Sequence, residues 1–220
     1  MEIKSIKNNN NIFKKIINGS SAEIISAIIS YPINTLKINA QIGHKLTLRK
    51  PLLLFKGLKY CILNELINGI VFYSVFDNLH NKGPFIQGAC STIAAMTFSH
   101  PVYLRRKLAQ VGKSTRISNN YHGFGNGLLN CVPTVALNFT LKEQIANRLN
   151  LGLMSGYLST TIAMILTHPL DTYTTSMIIK SPISIIDTLK FKGFGHRFFE
   201  KGLTIGTKLM LLDYFNKINY

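Results

Sequence analysis

The sequence has no tryptophan, only three cysteines, and nine acidic residues against 25 lysines and arginines. Each scarcity closes off an interpretation. Cys61, Cys90 and Cys131 stand singly without Cys-x-x-Cys spacing, so they indicate neither a disulfide framework nor a zinc site, and small apolar packing is their expected role. No Ser/His/Asp constellation, metal-ligand cluster or phosphate-binding glycine loop occurs, which points away from an enzyme and from any metal or cofactor. The amino terminus, MEIKSIKNNNN, lacks the apolar core and cleavage site of a secretory signal, so targeting is expected to be internal. Clean leucine-rich runs are missing too, because Gly, Ser, Thr and Asn interrupt every apolar stretch.

What is present is a chain that is 46% hydrophobic yet carries a net charge of +16. On a soluble domain such a surplus suggests nucleic acid, but here long apolar stretches separate the charges. That pattern fits basic loops beside a membrane and gives no nucleic-acid partner.

Self-similarity is the strongest signal. Aligned on proline, NGSSAEIISAIISYPINTLKINAQ, QGACSTIAAMTFSHPVYLRRKLAQ and SGYLSTTIAMILTHPLDTYTTSMI superimpose without a gap. Gly19, Gly88 and Gly156 each precede Pro32, Pro101 and Pro169 by 13 positions, and the prolines recur after 69 and then 68 residues. Each unit continues with an aromatic–basic–glycine step, Phe55-Lys56-Gly57, Tyr121-His122-Gly123 or Phe191-Lys192-Gly193, and closes near an acid, Asp77, Glu143 or Asp213. His100 and His168 precede equivalent prolines, which makes them repeat features and not ligands.

The periodicity predicts an all-α membrane protein of one domain over 1–220, in repeats 12–82, 83–149 and 150–220. Its six helices are expected at 12–42, 58–80, 85–112, 127–147, 151–179 and 200–218, and about 20 residues suffice to cross a bilayer. Small residues along them suit close packing around a polar interior. Lys45, Arg49, Lys50, Lys56, Arg105, Arg106, Lys107, Lys113, Arg116, Lys180, Lys190, Lys192 and Arg197 all fall on the face reached after the odd helices. The positive-inside rule therefore places those loops inside and both termini, with the loops around 78–84 and 144–150, outside.

These residues resemble the tripartite signature of the mitochondrial carrier family, P-x-[DE]-x-x-[KR], then [WYF]-[KR]-G, then [FY]-[DE]-x-x-[RK], over almost the whole chain. The resemblance implies six transmembrane helices in three pseudo-threefold repeats, a monomer of the mitochondrial inner membrane, and movement of a small solute by alternating access. It implies helix kinks at Pro32, Pro101 and Pro169, and a matrix-side ring in which the residue two past each proline meets the residue five past the next. Those positions hold Asn34, Tyr103 and Asp171, and Lys37, Arg106 and Thr174. The implied pairs are Asn34 with Arg106, Tyr103 with Thr174, and Asp171 with Lys37, of which the last alone is ionic. Gln41 and Gln110 take the bracing place nine past the proline, where the third repeat has Ile178. At the outer gate Asp77, Glu143 and Asp213 keep the acid, while the basic slots hold His80, Ala146 and Asn216. His80 reads either as a charged partner or as a polar helix end.

The aromatic–basic–glycine step has two readings, an interfacial anchor or a lipid phosphate site. The family's binding of cardiolipin gives the second, at Lys56, Gly57, Gly123, Lys192 and Gly193. Family contact points on the even helices imply a substrate site from Asn64, Glu65, Asn130, Cys131, Glu200 and Lys201, with Asn68, Thr134 and Thr204 a turn away. Glu65, Cys131 and Lys201 break the threefold symmetry and so suit an asymmetric solute, although Glu65 and Lys201 can also simply neutralise each other. The expected solute is a nucleotide or other anion held through Lys201 and assisted by Arg106, with an amino acid as the alternative that Glu65 favours. A carrier-like scaffold that no longer transports is the other alternative, since two of the three ring ion pairs are lost.

Overall fold

Proline and glycine punctuate the chain, and the secondary structure follows them. The computed structural model describes residues 2–43, 51–79, 81–116, 119–149, 153–179 and 193–218. Within them lie six α-helices and a 3-10 turn at Pro51–Phe55: α1 (Glu2–Gln41), α2 (Leu58–Asn78), α3 (Pro84–Gln110), α4 (Phe124–Leu149), α5 (Leu153–Ile179) and α6 (Phe194–Ile218). Helix α3 opens on Pro84, where the missing N–H costs nothing. Helices α2, α4 and α6 each begin directly after Gly57, Gly123 and Gly193, whose φ values of 84°, 73° and 75° lie in the left-handed region. Hence α4 and α6 start earlier than the expected 127 and 200, and α1 starts at Glu2 and not at 12.

Pro32, Pro101 and Pro169 lie inside α1, α3 and α5, and α4 carries an unanticipated interior Pro133. Each removes a backbone donor from the helix ladder. The carbonyl freed by Pro101, at Thr97, accepts instead from the Tyr121 hydroxyl at 3.0 Å. The residue before the proline is also tied down: Tyr31 donates to the Lys56 carbonyl at 2.6 Å, and His100 Nε2 sits 3.0 Å from the His122 carbonyl.

The helices form a closed antiparallel ring in chain order, with α6 returning against α1. Each contact joins the end of one helix to the start of its neighbour. In α1 and α2, Gly19 faces Tyr73 and Tyr31 faces Lys56; at the closing seam Lys208 meets Glu23 and Glu200 meets Asn34. The turn glycines repeat one arrangement three times. A Cβ on Gly57 would lie 2.8 Å from Ala109 of α3, on Gly123 2.8 Å from Ile178 of α5, and on Gly193 3.1 Å from the Lys37 carbonyl of α1. Each even helix thus docks its first residues on the end of the odd helix that begins the next repeat. Helices α1, α3 and α5 also touch one another, so the ring narrows at that end.

Burial is inverted relative to a water-soluble bundle. Among the described residues 27 buried side chains are polar or charged and 13 are apolar, while Ile29, Leu66, Ile70, Ile93, Phe98, Leu166 and Phe199 face outward. Length and composition together qualify one described helix as a candidate membrane span, Ile16–Gln41. The expected all-α chain of six helices is present among the described residues, and hydropathy qualifies one of the six as a span. The other helices, 21 to 27 residues long, dilute their apolar surface with the polar residues they turn inward.

Candidate functional site

The C-terminal halves of α1, α3 and α5 and the first turns of α2, α4 and α6 converge on a buried polar network. At its centre is Asp171, placed two residues past the α5 proline. Its Oδ2 lies 3.5 Å from Lys37 Nζ and 3.6 Å from Arg197 Nε, and it accepts from Gln41 Nε2 at 2.9 Å. Its Oδ1 accepts from Asn130 Nδ2 at 3.1 Å. Helices α1, α4, α5 and α6 therefore meet at one carboxylate.

A second carboxylate, Glu200, shares Lys37. Its Oε2 stands 3.4 Å from Lys37 Nζ, and its Oε1 accepts from Asn34 Nδ2 at 2.9 Å. Asn34 Oδ1 accepts in turn from Gln110 Nε2 at 3.0 Å, which ties α3 to α1 and α6. Beside this group Arg106 NH1 contacts Glu65 Oε1 at 2.7 Å, with Asn64 Nδ2 donating to the same oxygen at 3.4 Å. Low local dielectric strengthens these contacts, and the cost of desolvating the ions offsets much of that gain.

Of the three pairs implied for the ring, the structure brings together Lys37 and Asp171. The other two differ. Asn34 bonds Glu200 and Gln110 instead of Arg106, because α6 presents a carboxylate there; Arg106 turns to Glu65 of α2. Tyr103 and Thr174 share no hydrogen bond among the described residues: Thr174 donates to the Asp171 carbonyl of its own helix, and the Tyr103 ring lies under Lys107 at 5.4 Å. An even-helix carboxylate, Glu65, thus gives Arg106 the counter-charge that Asn34 lacks.

The candidate contact residues divide by register. Asn64, Asn130 and Glu200 each stand seven residues past the turn glycine, and all three are buried. Glu65, Cys131 and Lys201 are one residue further round the helix and less enclosed: the Lys201 side chain is 39% exposed against 6% for Glu200, from which it lies 3.8 Å. Glu65 and Lys201 therefore do not neutralise each other; Glu65 is held by Arg106 and Lys201 by Glu200. Asn68 accepts from Ser99 at 2.7 Å, whereas Thr134 and Thr204 bond carbonyls of their own helices.

Arg106, Lys107 and Arg197, counted from sequence among the loop bases, are drawn into the helix ends and inward. Arg197 was legible only as a member of that basic surplus, although its place four past Gly193, one turn before Glu200, marks the inward face. At the opposite end Glu143 is exposed and Asp77 has a partner, while His80 and the Asp213 side chain lie outside the described residues, as does Lys192 of the third aromatic–basic–glycine step. Lys56 is exposed beside its turn glycine.

Lysine, arginine and carboxylate pairs that join different helices at one end can hold that end shut and release it when a competing charge arrives. No protein-family model matches this chain, and no curated protein matches it in sequence.

Proposed function

We propose that the chain is a carrier of the mitochondrial inner membrane that exchanges a small solute, a nucleotide or another anion, by alternating access. One observation carries the reading: a ring of six helices, polar within and apolar without, is built from three equivalent seams and plugged at one end by ion pairs between repeats. Such an inversion suits helices facing lipid, where polar groups must find partners inside the bundle. The plug suits a gate, since its contacts join separate helices and can exchange protein partners for solute.

Charge favours an anion. Glu65, which would repel one, is compensated by Arg106 at 2.7 Å. The network then holds Asp171, Glu200 and Glu65 against Lys37, Arg197, Arg106 and Lys107.

The test is exchange in liposomes. Purified protein is reconstituted with internal ADP, phosphate, malonate or lysine, and uptake of the labelled counterpart is followed. Counter-exchange of an anion supports the reading. Exchange of lysine alone transfers it to a cationic amino acid, and no exchange of any solute by folded protein replaces it with the scaffold alternative.

A further inference from the structure

Lys107 is the residue the plug does not account for. It is 5% exposed, at the end of α3, and it touches no carboxylate within 4 Å among the described residues. Its Nζ donates to Thr175 Oγ1 at 3.3 Å and lies 5.4 Å from the centre of its own helix's Tyr103 ring. Asp171 and Glu200 are within electrostatic range, yet so are Lys37 and Arg106. The two carboxylates are already engaged, Asp171 by Lys37 and Arg197, and Glu200 by Lys37 and Lys201.

The tally of close pairs makes the point. Three carboxylates face Lys37, Lys201, Arg197 and Arg106, and Lys107 remains a buried lysine with no carboxylate within 4 Å among the described residues. An uncompensated ammonium in such a place is costly, and either loss of its proton or an anion that pairs with it relieves the cost. The surroundings suit an oxyanion: a hydroxyl at Thr175, an aromatic face at Tyr103, and further cations close by. At the corresponding position, six past the proline, α1 has Ile38 and α5 has Thr175, so the charge is found on one side of the pseudo-threefold axis only.

Resting on the proposed anion exchange, we infer that Lys107, with Thr175 beside it, holds the anionic group of the solute, a phosphate or a carboxylate. A solute anchored there sits among Lys37, Arg106 and Arg197 and competes with Asp171, Glu200 and Glu65 for them. Binding would thereby loosen the contacts that close this end.

The experiment is thermal unfolding of the purified full chain in a neutral detergent, with inorganic phosphate, ADP or malonate added against chloride at matched ionic strength. Wild type, Lys107→Met, Lys107→Arg and, as a lysine on an exposed part of α4, Lys142→Met are compared. The expected result is that at least one oxyanion raises the wild-type midpoint. Lys107→Met should weaken that response by about tenfold or more in apparent affinity and raise the anion-free midpoint, while Lys107→Arg and Lys142→Met keep the response. Phosphate acting without malonate identifies a phosphate site, and the converse a carboxylate site.

The inference is overturned if no oxyanion stabilises wild type beyond chloride, or if Lys107→Met responds as wild type does. Should Lys107→Met fail to fold, the wild-type titration and the Lys107→Arg response decide. Anion exchange in liposomes that survives Lys107→Met would sink this inference and leave the carrier reading standing; oxyanion stabilisation lost in Lys107→Met without exchange would do the reverse.

Discussion

The two ends of the helix ring are held by different physics. At the end where α1, α3 and α5 converge, Lys37, Asp171, Glu200, Arg197, Asn34, Gln41 and Gln110 form one connected network across the repeats. Toward the other end, contacts are steric and aromatic: Phe72, Phe76 and Phe139 stack at 4.9 to 6.0 Å, and Phe139 crosses α3 where Gly88 leaves room for it. The ion pair of Glu23 with Lys208 lies on that side, and it is partly exposed. A charged end depends on a few counter-charges and can be switched by a ligand, whereas an aromatic end depends on shape. Alternation between them would need the first to be strong yet exchangeable.

The largest effect should come from removing the shared carboxylate. Asp171→Asn leaves Lys37 with Glu200 alone and Arg197 without its carboxylate, and should destabilise by about 3–5 kcal/mol. The exchange Lys37→Asp with Asp171→Lys, which an isolated pair would tolerate, should recover little here. It sets a carboxylate at position 37 against Glu200 and an ammonium at position 171 against Arg197. Unfolding midpoints of the single and double variants check this, and full recovery would mean that the two residues form a self-contained pair.

Next come the seams. Gly57→Ala and Gly193→Ala combine a left-handed φ with a Cβ at 2.8 Å from Ala109 or 3.1 Å from the Lys37 carbonyl. The expected loss is about 1–2 kcal/mol for the conformation and about 1–3 kcal/mol for overpacking. Gly43→Ala has a similar φ of 77° but open space around it, so it should show the conformational part alone. Equal midpoints for the three variants would dissolve the proposed docking of even helices on odd ones.

A smaller contrast tests the other end. Gly69→Ala places a Cβ 2.5 Å from Ser20 Oγ and 3.1 Å from the Ser20 backbone, and should destabilise by about 1–3 kcal/mol. Gly156→Ala meets nothing within 4 Å inside α5, and should gain up to about 1 kcal/mol from helix propensity. The smallest effect is expected for Glu23→Gln, below about 1 kcal/mol, because both side chains of its pair with Lys208 are partly exposed. A loss at Glu23 as large as at Asp171 would erase the distinction between the two ends.

Much of this was legible in the chain. The prolines lie inside the odd helices, two of the three glycines 13 positions before them are crossing points, for Tyr73 at Gly19 and Phe139 at Gly88, and the aromatic–basic–glycine steps mark left-handed starts for the even helices. The Lys37–Asp171 contact joins two positions that the family resemblance paired. Glu200 and Arg197 were harder to read. Neighbouring residues on a helix point about 100° apart, so choosing between Glu200 and Lys201 requires the rotation of α6. That rotation is set by Gly193 seating against Lys37, Gln41 and Ala40 of α1, and only packing reveals it.

The sequence by itself determined the left-handed glycines from which the even helices start, because glycine acts through local backbone torsion, and it determined the threefold repeat and the basic surplus. Only the tertiary structure decided which charges are compensated. Asn34 and Glu200 are 166 residues apart, and Gln41 and Asp171 130 apart. Whether an ion has a partner depends on the closing of the ring around it, a property no single helix carries.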